Sequence, residues 1–279
     1  YSALSDKHIK GSPANNLAAE YDKLVQEGYY KEFNQLINEY KELLDAGDQK
    51  AADEKMTQAL KMDDKRFELT RNFVKQHPDN MYSAYISGIV KEESYEKGKE
   101  LYDLLTPKIQ ASFYGRLLKQ QTEALAISAL GVPCPDFTAT DESGNKVSMA
   151  SQKGGIMVLD FWASWCGPCR QEIPHLKEAF EAYNEKGVEF LSVSIDKDGN
   201  AWRKAMKDEN MPWAQVQAPK AGKDVMKLYQ FSGIPYILVL DQEGRIVGKN
   251  LRGQKLMDKL EEMVNGGAKK SVAMPAMGM

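Results

Sequence analysis

Two cysteines separated by a glycine and a proline constrain the fold of this chain more than any other feature. They are Cys166 and Cys169, and they follow a short, almost continuously apolar run at Ile156–Trp162. Such a run is typical of a central strand that is covered on both faces. Apolar residues then recur at helical spacing until Gly187. The sequence therefore predicts a buried strand that leads directly into a helix, with both thiols at the junction.

The position at a helix N-terminus makes the first cysteine the expected nucleophile. Free backbone N–H groups and the helix dipole favour an anion there, which stabilises the thiolate of Cys166. Pro168 suits the first turn, because its missing N–H would have no partner within the helix anyway. Cys169 lies nearly one turn further on, within disulfide reach of Cys166. We expect Cys166 to be the accessible attacking thiolate and Cys169 to be the buried resolving thiol.

Two carboxylates have spacings that suit proton exchange with the resolving thiol. Asp160 stands within the apolar strand, where burial should raise the pKa of its carboxyl toward the range useful for acid–base catalysis. Glu172 follows Cys169 by three positions, and the two therefore share one face of the predicted helix. A solvated helix position is the alternative for Glu172, because spacing alone does not establish burial.

The strand, the Trp-Cys-Gly-Pro-Cys motif and the nearby Pro174 together resemble the thioredoxin superfamily. A distant Gly-Ile-Pro segment, at 233–235 before an apolar run at 236–241, resembles the cis-proline loop of that superfamily. Proline suits such a loop because it can adopt a cis bond and lacks an N–H. The resemblance implies that this loop faces the disulfide and binds an extended substrate. The residues expected to contact the substrate are Trp165, Gly167, Pro168, Ile234 and Pro235.

Further segments narrow the resemblance to the TlpA/ResA-like bacterial thiol-disulfide oxidoreductases, which are usually extracytoplasmic. These segments are the Pro-Cys-Pro-Asp-Phe run at 133–137 and the hairpin signal at 141–145. Glu172 matches an active-site glutamate of ResA-like members, and Asp160 matches the buried aspartate of thioredoxin. One departure concerns charge: where thioredoxin has a lysine near that aspartate, the following strand at 190–194 offers only serines.

The fold class predicted is α/β, a thioredoxin-like three-layer sandwich with a mixed sheet, preceded by an all-α N-terminal domain. Residues 1–130 are rich in charged residues and tyrosine and have helical periodicity. Their role as a docking surface, a dimerisation surface or a spacer stays open. Residues 131–265 form the predicted thioredoxin-like domain. Residues 266–279 lack periodicity, and we expect them to be a disordered tail.

Composition argues against several other classes of protein. The chain has 279 residues and a net charge of −3, which gives no electrostatic reason to expect binding to nucleic acid. Its three cysteines include a single Cys-x-x-Cys pair, and its three histidines are scattered, so we predict no metal site and no cofactor. The remaining Cys134 is expected to be a small, partly buried residue; a regulatory or intermolecular thiol is the alternative.

Location and partners follow from the resemblance. No apolar run reaches the roughly 18 residues of a membrane-spanning helix, and the sequence starts at Tyr1. We expect an extracytoplasmic protein, periplasmic or facing the outer surface, from which a leader and a β-rich N-terminal domain have been removed. Its partners would be protein disulfide substrates and an upstream electron donor. A lipid anchor and a homodimer formed through the helical domain stay open.

The predicted reaction is dithiol–disulfide exchange. Cys166 attacks a disulfide in a partner, and Cys169 resolves the mixed disulfide after losing its proton to Asp160 or Glu172. The Gly-Pro dipeptide resembles that of thioredoxin, whose potential of about −270 mV favours a reductase over an oxidase. A peroxiredoxin-type thiol peroxidase is one alternative, although it needs a threonine where this chain has Ala163. A non-catalytic binding module that acts through the helical part is the other.

Overall fold

The chain divides into two compact units, residues 1–126 and residues 127–279. The structure, a computed structural model, describes residues 13–91, 94–149 and 154–271. The first unit is helical in its described part, and the second contains all the described β-strands together with four α-helices and short 3-10 turns. The dithiol motif therefore belongs entirely to the second unit.

Four helices of the first unit begin at polar cap residues. Side-chain oxygens of Asp48, Asn80, Ser94 and Ser112 each accept a hydrogen bond from a backbone N–H in the first turn of the following helix. A π-helical turn at Gln26–Tyr30 joins the first two helices. The helices are α1 (Pro13–Val25), α2 (Lys31–Asp45), α3 (Gln49–Gln76), α4 (Met81–Val90), α5 (Tyr95–Asp103), α6 (Pro107–Gln110) and α7 (Phe113–Ala124).

Within the described residues, the second unit contains one seven-stranded mixed sheet, in the order β2-β1-β5-β4-β3-β6-β7. The strands are β1 (Thr138–Asp141), β2 (Lys146–Ser148), β3 (Ile156–Trp162), β4 (Val188–Ser194), β5 (Ala214–Gln217), β6 (Tyr236–Leu240) and β7 (Ile246–Lys249). The motif-bearing strand β3 runs parallel to β4 and antiparallel to β6. This arrangement places β3 away from both edges of the sheet.

Helices cover both faces of this sheet, which explains why every residue of β3 is buried. On one face, Val158 of β3 packs with Leu176 of α8 (Gly167–Tyr183) and Leu260 of α11 (Gln254–Ser271). On the other face, the core includes Leu159 of β3 together with side chains from α9 (Gly199–Glu209) and α10 (Lys223–Tyr229). Alternate residues of the strand therefore enter two different cores. The predicted three-layer α/β architecture is confirmed.

One strand of the sheet was not predicted. It is β5, whose sequence Ala-Gln-Val-Gln buries only the side chain of Val216. A four-residue run with two glutamines lacks the apolar content that identifies a strand from sequence. Pairing with β4 on one side and β1 on the other stabilises the extended conformation of this segment, which its own sequence does not favour.

The last helix is longer than the sequence indicated. The periodicity predicted an end near Val264, whereas α11 continues to Ser271, so residues 266–271 of the expected tail are helical. The expected end rested on the lack of periodicity from residue 266 onward, where two adjacent glycines, poor helix formers, also stand. A helix already anchored by buried Leu256 and Leu260 extends past them more readily than a new helix would start. Residues 272–279 lie outside the described part of the chain.

Candidate active site

The two cysteines of the motif form a disulfide at the N-terminus of α8. Cys166 is the N-cap residue of this helix, and its Sγ accepts a hydrogen bond from the backbone N–H of Cys169 at 3.1 Å. The Cα atoms of the two residues are 5.2 Å apart. The strand-to-helix junction thus places both sulfurs together, with the first one at the positive end of the helix dipole.

Both cysteines are nearly covered, which differs from the expectation of an accessible Cys166. Cys166 is 4% exposed and Cys169 is 2% exposed, whereas the side chain just before them, Trp165, is 68% exposed. Part of the cover comes from the backbone of Ile234, whose carbonyl oxygen lies 3.7 Å from Sγ of Cys166. The difference between the two thiols is therefore one of position: only Cys166 is both the helix cap and a neighbour of this carbonyl.

The predicted proline loop does face the disulfide. The Ile234-Pro235 peptide bond is cis, and Pro235 directly precedes the buried strand β6. The first turn of α8 contains Gly167 and Pro168, and the space where a side chain would extend from Gly167 is open. The structure thus places the residues expected to bind the substrate in three segments: the residue before the dithiol, the first turn of α8 and the cis-proline loop.

Asp160 belongs to β3, the strand that leads to the dithiol, and has little solvent contact. It is 3% exposed, and its partner in the parallel strand pair is Ser192, whose hydroxyl donates a hydrogen bond to Oδ2 at 2.9 Å. The indole N–H of Trp213 in turn donates to Oγ of Ser192 at 2.8 Å. The pKa of Asp160 is raised to about 7, mainly because the carboxyl is buried; the charge of Glu172 adds to this rise, while the hydrogen bond from Ser192 and the charge of Arg252 oppose it.

Glu172 is buried, so the alternative of a solvated helix residue is wrong. Its exposed fraction is 8%, and Oε1 accepts a hydrogen bond from the backbone N–H of Gly253 at 2.7 Å. Gly253 lies just before α11, in a left-handed conformation with φ of +48°, which glycine adopts without strain. The charge of Glu172 also acts on the Asp160 carboxyl, so the two buried acids influence each other electrostatically.

A second buried aspartate fixes the loop that carries the dithiol. Asp196 follows β4 and is 2% exposed. Its carboxylate accepts hydrogen bonds from the backbone N–H of Ser164 at 2.8 Å, from the hydroxyl of Ser164 at 2.6 Å and from the hydroxyl of Ser194 at 2.8 Å. The loop between β3 and α8 is thereby tied to the end of the neighbouring strand.

The remaining cysteine lies apart from these contacts. Cys134 is partly buried, and its Sγ lies 3.3 Å from the hydroxyl oxygen of Tyr229. That hydroxyl donates to the carbonyl of Pro135. Within residues 13–91, 94–149 and 154–271, no group of three or more potential ligands is arranged to hold a metal ion.

Sequence reasoning missed several residues of this site. Trp213 reaches Ser192, Arg252 acts on Asp160, and Asp196 anchors the loop. Only Asp196 gave a usable signal, because it directly follows the apolar run of the strand that comes next after the motif-bearing strand and its helix. The other two come from distant segments whose approach depends on tertiary packing.

A central buried strand, a disulfide at the start of its helix and a facing cis-proline define a thioredoxin-like dithiol protein. Residues 130–249 match the family model described as AhpC/TSA family. The chain is 30% identical over 133 residues to the thiol-disulfide oxidoreductase ResA of Bacillus thuringiensis subsp. konkukian, covering 48% of this chain and 75% of that protein. The chain therefore belongs to the ResA-like thiol-disulfide oxidoreductases, as the resemblance indicated, and it is an enzyme of that class.

The chain is also similar to proteins whose structures have been solved. The thioredoxin domain of a thiol-disulfide oxidoreductase from Bacteroides vulgatus is 38% identical, with 49% of this chain and 99% of that chain covered and a TM-score of 0.47. A thioredoxin-like protein from Bacteroides caccae is 18% identical, with 76% of this chain and 83% of that chain covered and a TM-score of 0.56. The second similarity supports the fold, and its coverage reaches into the helical region.

Proposed function

We propose that this protein reduces disulfide bonds in extracytoplasmic proteins through its Cys-Gly-Pro-Cys dithiol. The observation that carries the proposal is the position of the disulfide. It caps a helix, it lies 3.7 Å from the carbonyl of a cis-proline loop, and it is close in sequence to a buried acid whose pKa is raised to about 7. Each of these features serves one step of dithiol–disulfide exchange.

The first step is attack by the thiolate of Cys166 on a disulfide sulfur of the partner. The S–S bond of the partner breaks, its other sulfur leaves as a thiolate, and a mixed disulfide with Cys166 remains. Cys169 then transfers its proton to Asp160 or Glu172 and attacks Sγ of Cys166. The second partner sulfur leaves, so the partner gains two electrons, and the Cys166–Cys169 disulfide forms.

An acid with a pKa near 7 suits the second step. At neutral pH a large share of Asp160 is ionised and can accept a proton, yet the acid formed is strong enough to return it. Glu172 contributes by its charge, which favours the protonated form of Asp160. A fully solvated aspartate would be ionised almost completely and would be a weaker base.

Substrate binding is proposed for the three segments around the disulfide. The exposed indole of Trp165 offers a large apolar surface, and Gly167 leaves room for a polypeptide close to the sulfur. The cis-proline loop presents backbone groups of Ile234 and Pro235 to an extended segment of the partner. Contacts of this kind favour unfolded or loop-borne disulfides over disulfides inside a packed core.

The direction of reaction and the location follow from family likeness. The Gly-Pro dipeptide favours reduction, and continued turnover then requires an upstream electron donor. No helix in the described part of the chain is long and apolar enough to cross a membrane. We propose an extracytoplasmic, periplasmic or outer-surface location, with a lipid anchor and a homodimer through the first unit as further hypotheses.

The discriminating experiment compares insulin reduction with peroxide consumption, with dithiothreitol as the electron donor in both assays. We expect rapid insulin reduction by the wild type, background rates for Cys166→Ser, and no peroxide consumption above background. Peroxide consumption without insulin reduction would instead support the peroxidase suggested by the family name, although buried Ala163 lacks the hydroxyl such enzymes use. Turnover in neither assay would support a binding module.

Trapping identifies the natural partner. In Cys169→Ser the first step proceeds and the second cannot, so partners remain attached through Cys166. We expect disulfide-linked adducts in cell extracts that dithiothreitol releases. The matched control is the Cys166→Ser/Cys169→Ser double variant, which should capture nothing; equal capture by both variants would contradict the assignment of Cys166 as nucleophile.

A further inference from the structure

One arginine connects the parts of the site that belong to different elements. Arg252 lies in the turn between β7 and α11, and its Nη2 donates to the carbonyl oxygen of Pro235 at 2.5 Å. The same nitrogen donates to Oδ1 of Asn250 at 3.0 Å, within the turn itself. The carbonyl that it holds is that of the cis-proline, so the guanidinium fixes the loop that faces the disulfide.

The next residue of the turn holds the other side of the site. The backbone N–H of Gly253 donates to Glu172, which projects from the dithiol-bearing helix α8. Two successive residues therefore tie the cis-proline loop and α8 to one short turn. A change in the position of this turn would move both walls of the site together.

The same arginine also supplies the positive charge that the sequence did not reveal. The groups that act on the Asp160 carboxyl are the Ser192 hydroxyl from β4, the Glu172 carboxylate from α8 and the Arg252 guanidinium from the turn before α11. Of these, only the guanidinium is cationic. The strand β4 offers only serines as polar side chains at 190–194, so the guanidinium supplies a positive charge that this strand does not, and it opposes the effect of Glu172.

We propose that Arg252 is a positioning residue of the dithiol site, which orders the cis-proline loop and offsets the charge of the Asp160–Glu172 pair. This inference deepens the proposed function and rests on it for the proton transfer, but the geometry and the charge effect are measurable without turnover. With two buried acids and no cation, the pair would hold a proton more tightly. With the cation present, one acid is free to accept the proton of Cys169 at neutral pH.

The test uses three variants of the full chain. Arg252→Gln removes the charge and shortens the donor, and Arg252→Lys keeps the charge on a side chain without the guanidinium fork. Arg245→Gln is the matched control, because Arg245 also lies in the second unit and donates from Nη1 to a backbone carbonyl, that of Gly131. All three are compared with wild type for folding by circular dichroism.

The first measurement is the titration of the Asp160 carboxyl carbon by NMR in the oxidised protein, assigned with Asp160→Asn. Wild type should titrate near pH 7. Removal of an attractive charge should raise the midpoint in Arg252→Gln by at least about half a unit. Arg252→Lys should stay close to wild type, and Arg245→Gln should not differ from it. A midpoint in Arg252→Gln equal to that of Arg245→Gln overturns the charge role.

The second measurement is steady-state reduction of a disulfide-bonded peptide. We expect KM to rise about threefold or more in both Arg252 variants, because neither reproduces the fork that orders the cis-proline loop. An unchanged KM in both variants overturns the ordering role.

Should Arg252→Gln fail to fold, Arg252→Lys decides alone: a raised KM with an unshifted midpoint supports the proposal, and an unchanged KM overturns it. If wild type shows no reductase activity while the midpoint shifts as expected, the proposed function fails and the charge assignment stands.

Discussion

Two buried aspartates lie on the neighbouring strand segments that precede and flank the dithiol loop, and their surroundings differ sharply. Asp160 is 3% exposed and Asp196 is 2% exposed, so burial alone does not distinguish them. Within the described residues, the Asp160 carboxylate accepts a hydrogen bond from a single side chain, that of Ser192. Asp196 accepts from the backbone and hydroxyl of Ser164 and from the hydroxyl of Ser194.

The number of donors decides what a buried carboxylate can do. A carboxylate with three donors has exchanged its water for equivalent partners, and it serves as an anchor. Asp160 has lost its water without such replacement, and its pKa rises to about 7 because of that burial. Asp196 holds the loop before Cys166 in place, and we propose that Asp160 is the aspartate that exchanges a proton.

The largest expected difference concerns the rate of mixed-disulfide resolution. Asp160→Asn removes the proton acceptor, so we expect resolution at pH 7 to slow by about 10²- to 10³-fold, while attack by Cys166 on a substrate changes little. The measurement is a quenched-flow assay that follows the mixed disulfide with a peptide after it has been formed in a single turnover.

Asp196→Asn is the control for this prediction. It alters a buried aspartate of similar exposure that is placed in the anchoring role, so we expect less than about tenfold slowing of resolution. Equal slowing in both variants would mean that any disturbance near the loop slows resolution, and it would contradict a specific role of Asp160 as proton acceptor. Slowing in neither would leave Glu172 as the acceptor, and Glu172→Gln would then show the larger loss.

The next prediction concerns stability as a function of pH. The pKa of Asp160 is raised in the folded state, so between about pH 4 and pH 7 the folded chain binds the proton and the unfolded chain releases it. The contribution of Asp160 to the free energy of unfolding therefore falls as pH rises through this window. We expect Asp160→Asn to gain about 2 to 4 kcal/mol relative to wild type between pH 4 and pH 8.

Urea unfolding of the oxidised proteins at several pH values measures this difference. Asp196→Asn serves again as the comparison: it weakens charge-assisted hydrogen bonds, so we expect it to lose about 1 to 3 kcal/mol at pH 8. Opposite signs for the two aspartates at pH 8 would confirm that donors, not burial, separate them. A loss of stability in Asp160→Asn at pH 8 would contradict the raised pKa.

The sequence predicted the parts of the site that local pattern controls. The apolar run of β3, the helical spacing after Cys169 and the Gly187 stop depend on neighbours along the chain, and they placed the disulfide correctly at a helix N-terminus. Asp160 was identifiable because a charged residue inside an apolar strand has few explanations.

The remaining parts depend on contacts between distant segments. Gly253 reaches Glu172 across 81 positions of sequence, and Trp213 reaches Ser192 from a segment that precedes an unpredicted strand. The cover over Cys166 also comes from a distant carbonyl, that of Ile234. Side chains and backbone groups that meet only after the sheet has formed leave no periodic signal in the sequence.

The smallest expected effect tests the single donor that Asp160 retains. Ser192→Ala removes that hydrogen bond, which favours the ionised form, so we expect the pKa of Asp160 to rise by about half a unit to one unit. The NMR titration of the carboxyl carbon measures the shift.

Trp213→Phe is the matched control, because it removes the donor to Ser192 and leaves the hydroxyl free to continue donating to Asp160. We expect Trp213→Phe to shift the midpoint less than Ser192→Ala does. A larger shift in Trp213→Phe would mean that the indole orients the Ser192 hydroxyl. The pKa of Asp160 would then depend on Trp213 acting through Ser192, whereas Asp196 receives its hydrogen bonds directly.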